Sequence, residues 1–167
     1  NAEIHYRRAV QLAPKSGATN NNYGTFLCAE GNYAEADKYF ERALTVPFYE
    51  TPAVAWANRG SCALKAGQAE LAEQYLRTAV QKDPNSAQAL YELAGILADR
   101  KDYFRARAFA QRYEALAGDS PESLALGMRI ELGLGDAAAV KEYRSRLING
   151  FPDSAQAQAL ETSEPPR

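Results

Sequence analysis

Few side chains in this sequence could do chemistry: one histidine, His5, two cysteines, Cys28 and Cys62, and a scatter of charged residues. Histidine acid–base chemistry requires positioned partners, and no second histidine is present to help build a metal site. There is no glycine-rich phosphate loop after a strand pattern and no nucleophile elbow. Glu70, Glu73, Arg77, Arg105 and Arg107 read as solvated helix faces, and His5 as a surface or edge residue. The expectation is no catalytic residue, no metal and no cofactor. The thiols leave two options: buried free cysteines, or a disulfide if their Cα atoms come within about 7 Å. The elements that carry them must decide.

Those elements are helices. Ala, Leu, Glu, Gln, Lys and Arg dominate, and alternating β-branched runs are missing. With 46% apolar residues the chain can bury a core, and its apolar runs are too short to span a bilayer. A formal charge of −2 gives no electrostatic reason to expect nucleic acid or anionic lipid. The chain opens at Asn1 inside a helical pattern, so a longer parent protein, with any targeting segment upstream, is expected.

A small residue that opens a helix recurs as Ala2, Ala36, Ala72, Ala106 and Val140, at steps of 34, 36, 34 and 34 residues. Four positions on stand Tyr6, Phe40, Leu76, Ala110 and Arg144; three further come Ala9, Ala43, Ala79, Tyr113 and Leu147. Units close near Pro14, Pro47, Pro84, Gly118 and Pro152. The preceding helix of a unit carries a large–small pair at Tyr23–Gly24, Arg59–Gly60 and Leu93–Ala94. This is the tetratricopeptide signature. Small residues let the two helices of a unit approach, and a larger side chain fills the space beside them. One pair cannot cover its own apolar face, so stacking supplies the core. The predicted fold is all-α: a tetratricopeptide-repeat, right-handed superhelical solenoid of antiparallel helix pairs, forming a single domain over 1–161.

Its parts are a half repeat at 1–16, repeats at 17–52, 53–86, 87–120 and 121–154, a partial capping helix at 155–161 and a loose tail at 162–167. The two extra residues of the longer step fall in Pro47–Pro52, where Phe48 is expected to tuck over the stack; a contact site is the alternative. The last repeat is the most degenerate, with Arg144 where an aromatic would pack.

In this fold the first helix of each unit lines the concave surface, which nominates Asn21, Thr25, Val54, Ala57, Leu64 and Tyr91 as a protein-binding groove. The groove is mildly apolar and poor in charge, suited to a peptide or helix. Basic residues able to clamp a terminal carboxylate are missing at Asn21, Thr25, Asn58, Gln88 and Glu92, which excludes that co-chaperone class. Cys28 and Cys62 lie near equivalent positions of consecutive first helices. A bridge between them would stabilise by roughly 3–4 kcal/mol and mark an oxidising compartment; it is the expectation weighed against two free thiols.

The strings Asn21-Asn22-Tyr23-Gly24-Thr25-Phe26-Leu27-Cys28 and Asn58-Arg59-Gly60-Ser61-Cys62-Ala63-Leu64 carry more than the repeat pattern. With Gln111-Arg112-Tyr113 and Tyr143-Arg144-Ser145-Arg146-Leu147, they resemble the type IV pilus biogenesis and stability lipoproteins, the PilF/PilW family. The resemblance implies a bacterial pilotin on the periplasmic face of the outer membrane, supporting localisation and multimerisation of its partner, the pilus secretin subunit. It implies a lipid anchor on a cysteine upstream of Asn1, since Cys28 and Cys62 lie inside helices. The alternative from the repeats alone is a general adaptor unrelated to pili.

Overall fold

The computed structural model describes residues 2–162, so most of the tail expected to be loose lies outside the described residues. Every element among them is helical: α1 (Ala2–Leu12), α2 (Gly17–Ala29), α3 (Tyr33–Thr45), α4 (Pro52–Lys65), α5 (Ala69–Lys82), α6 (Ala87–Asp99), α7 (Tyr103–Ala117), α8 (Pro121–Leu134), α9 (Ala137–Gly150) and α10 (Ala155–Thr162). Where the sequence reads as one array, contacts divide the chain into two compact units, residues 1–89 and 90–167.

In the first unit, α2 pairs with α3 and α4 with α5. The pairing follows from two missing side chains. A Cβ on Gly24 would lie 2.9 Å from the Phe40 ring, and one on Gly60 2.6 Å from Leu76. Both distances are shorter than any real contact, so only glycine lets the second helix close down. Phe40 and Leu76 are consequently buried, with Ala36, Ala43, Ala72 and Ala79 beside them. Ser16 caps α2 by accepting from the Thr19 amide at 3.2 Å. Arg59 spans from α4 to α3, donating to both carboxylate oxygens of Asp37 at 2.6 and 2.9 Å. Its guanidinium also lies 4.4 Å from the Tyr75 ring centre and 5.5 Å from that of Trp56.

In the second unit the same device recurs with a different partner. A Cβ on Gly127 would fall 2.4 Å from the ring of Tyr143, which is buried with Leu124 and Leu147. The aromatic of the last repeat is therefore present, one residue before Arg144, and Arg144 does not hold the packing position. Ala94, Leu97, Ala106, Ala110, Leu126 and Ile130 form a second core cluster of this unit. Ser120 and Ser123 make a reciprocal capping box at the start of α8.

Several charges are not merely solvated. Arg107 of α7 forks onto Glu131 of α8, its Nε donating at 2.9 Å, and Glu131 is buried. The Tyr143 hydroxyl donates to Glu114 at 2.7 Å, and Arg146 pairs with Asp119 and Glu114. Burial first, and the bond to Glu114 second, push the Tyr143 phenol well above the ordinary tyrosine range. Glu73 and Arg77 pair along α5, Nε to Oε1 at 2.8 Å.

One helix–turn–helix joint departs from the others. Gly31 (φ 80°) and Gly67 (φ 76°) take the left-handed conformation in the first unit. In the second, Gly135 (φ 77°) takes it between α8 and α9, but between α6 and α7 it falls to Lys101, with φ 61° and no glycine to ease it.

Candidate protein-binding face

The nominated groove residues meet different fates, set by which side of each helix the pairing glycine faces. Thr25 is exposed on α2, and Val54 (48% exposed) and Leu64 (36%) on α4. Asn21 is 6% exposed and Ala57 only 1%, so these two belong to packing and offer a partner almost nothing. Tyr91, in the second unit, is half-buried against the core cluster there, its ring 5.2 Å from that of Tyr113. His5 is exposed on α1.

Asn21 has a structural task. Its Oδ1 accepts from Asn58 Nδ2 at 3.1 Å; Gln88 Nε2 donates to Ser61 Oγ at 2.6 Å and lies 3.5 Å from Asn58 Oδ1. An amide row thus links α2, α4 and the first turn of α6, satisfying polar groups that would otherwise be costly beneath the surface. Thr25 and Ser61 return their hydroxyls to main-chain carbonyls one turn back. The surviving face is therefore apolar at Val54 and Leu64, with the exposed Lys65 at its end, and is stiffened by the amide row.

A disulfide joins Cys28 and Cys62, with Cα atoms 5.8 Å apart and both residues buried. It ties α2 directly to α4. Near it lies an open cavity of about 1530 Å³, bordered by Val10, Tyr23, Leu27, Tyr39, Arg59 and Cys62. Sequence reasoning missed this feature, because its walls come from five helices, α1 to α5, and no short motif marks it.

The loop after α3 departs most from expectation. Tyr49, not Phe48, packs back on the helices: a Cβ on Gly17 would meet the Tyr49 ring at 2.5 Å. Phe48 is fully exposed, at 100%, and holds a left-handed backbone with φ 59°. A bulky L-residue there costs on the order of 1–3 kcal/mol. The turn is closed by the Tyr49 amide donating to the Val46 carbonyl at 3.4 Å.

The paired helices, their glycine contacts and their joints define a tetratricopeptide-repeat protein, and tetratricopeptide family models match residues 15–82 and 58–121. The crystal structure of PilW, described as a widely conserved type IV pilus biogenesis factor, superposes with a TM-score of 0.85 at 36% identity. That match covers 96% of this chain and 74% of PilW. The chain belongs to this tetratricopeptide-repeat family of type IV pilus biogenesis factors. Type IV pilus assembly protein PilF of Pseudomonas aeruginosa is 24% identical over 98% of this chain, and its solved structure gives a TM-score of 0.87. An uncharacterised Haemophilus influenzae protein is 36% identical over 56% of the chain. The chain spans 65% and 52% of the lengths of these two curated relatives.

Proposed function

We propose that this chain is a non-catalytic scaffold for type IV pilus assembly, acting as a pilotin that binds the secretin subunit and promotes its multimerisation. The similarity to PilW carries the reading: 36% identity sustained over 96% of this chain exceeds what the repeat pattern alone demands. The binding face is the first-helix surface at Thr25, Val54 and Leu64, where exposed apolar side chains sit on helices braced by the disulfide and the amide row. Bracing lowers the ordering cost of association. A disulfide also suits an oxidising compartment, in keeping with the periplasmic face of the outer membrane and a lipid anchor supplied from upstream.

The test is deletion of the gene while following heat-resistant secretin multimers on gels. Loss of multimers, restored by the wild-type gene, is expected; unchanged multimers exclude a pilotin. Leu64→Glu places a charge on an exposed position, so the fold should survive while secretin affinity drops about tenfold or more. Undiminished affinity in a folded Leu64→Glu protein moves the site off this face.

A further inference from the structure

The loop Val46–Thr51 is where the repeat period lengthens, and its two aromatics are treated oppositely. Tyr49 is locked: its ring covers Gly17, which has no side chain to oppose it. Pro47 on one side of the pair and Pro52, the first residue of α4, on the other restrict the backbone at both ends. Locking Tyr49 leaves Phe48 at φ 59° with its ring wholly in water. Two costs therefore coincide at one residue: a backbone region that bulky side chains avoid, and an aromatic that gains nothing from burial. Neither cost supports the packing of the repeats, since Phe48 is 100% exposed. Glu50, two residues on, is also exposed and puts an anionic residue in the same loop, which disfavours an anionic lipid surface.

We propose that Phe48 is an anchor for the protein partner: its ring enters an apolar pocket whose rim carries a lysine or arginine facing Glu50. The inference rests on the reading that the partner is the secretin subunit, and adds a loop contact to the first-helix face, whose exposed Val54 lies in the first turn of α4. A preorganised aromatic that loses little freedom on docking is the usual character of a dominant contact. An ordering of signs follows that a structural role would not produce. Phe48→Gly removes the ring and relaxes the left-handed backbone, so it stabilises the free protein while weakening the complex.

The experiment compares the purified wild-type chain, Phe48→Gly, Glu50→Lys and Leu64→Glu, measuring thermal midpoints and affinity for the purified secretin subunit. Phe48→Gly should keep or raise the midpoint and weaken binding about thirtyfold, roughly 2 kcal/mol at 1.4 kcal/mol per tenfold. Glu50→Lys should weaken binding several-fold, with the effect shrinking at high salt. Unchanged affinity in Phe48→Gly, with Leu64→Glu impaired, overturns the anchor and leaves the secretin reading standing. Failure of the wild-type chain to bind secretin overturns both. Binding of the wild type, but not Phe48→Gly, to phosphatidylglycerol–phosphatidylcholine vesicles would replace the protein partner with a bilayer. A photo-crosslinker at position 48 that yields only dimers of this chain would also overturn it.

Discussion

The two compact units share the close glycine contact and differ in how their helices are tied together. Both close a helix pair on glycine, at Gly24 and Gly60 in residues 1–89 and at Gly127 in residues 90–167, but only in the first are two successive first helices stapled covalently, by Cys28–Cys62, beside the Arg59–Asp37 ion pair. In residues 90–167 there is no cysteine, and the helices are tied by ion pairs: Arg107 on buried Glu131, and Arg146 with Tyr143 around Glu114 and Asp119. A covalent tie acts largely by restricting the unfolded chain and is indifferent to salt. A buried ion pair acts in the folded state and holds only while both partners are charged and matched. The first unit should therefore be the one sensitive to reductant, whereas the second depends on charge alone for its ties.

The largest expected effect breaks this contrast from the sulfur side. Reduction, or the double substitution Cys28→Ala and Cys62→Ala, should cost about 3–4 kcal/mol for a separation of 34 residues. Hydrogen exchange should place the loss of protection in the first unit. Equal loss in the second would show that the bridge supports the array as a whole. Labelling of both cysteines when the unreduced protein is alkylated and weighed would remove the bridge altogether.

Next in size, Glu131→Gln removes the buried charge facing Arg107 and should cost about 2 kcal/mol by denaturant titration. Its loss should be felt in protection of α7 and α8, whereas the sulfur variant should leave those helices unchanged. A neutral outcome would demote the ion pair to a solvent-screened contact.

The smallest effect sharpens the comparison at the joints. Lys101→Gly should stabilise by about 0.5–1 kcal/mol, because the α6–α7 joint then matches the left-handed glycines Gly31, Gly67 and Gly135 of the other joints. A lowered thermal midpoint would mean that the lysine side chain supports the joint more than its backbone strains it.

Much of this architecture was legible in the chain itself. The period, the joints at Gly31 and Gly67, and the small–large contacts Gly24–Phe40 and Gly60–Leu76 follow from residue type and spacing, since a glycine facing an aromatic or leucine at one period has one economical use. The candidate face was legible only in part. Thr25, Val54 and Leu64 lie at the surface, but Asn21 and Ala57 sit beneath it and Tyr91 is half-covered. Helical spacing locates a side chain to within about 100° around the axis, and a residue at the edge of a face turns inward or outward according to its neighbour.

The sequence by itself determined that the chain is helical, where it turns, which small residues let helices touch, and the family it resembles. The tertiary structure alone decided which of two adjacent residues takes each packing site: Tyr143 rather than Arg144 over Gly127, and Tyr49 rather than Phe48 over Gly17. It likewise chose Glu131 as the buried partner of Arg107. Adjacent residues share composition and period, and what separates them is the space left by a distant backbone, which no local pattern contains.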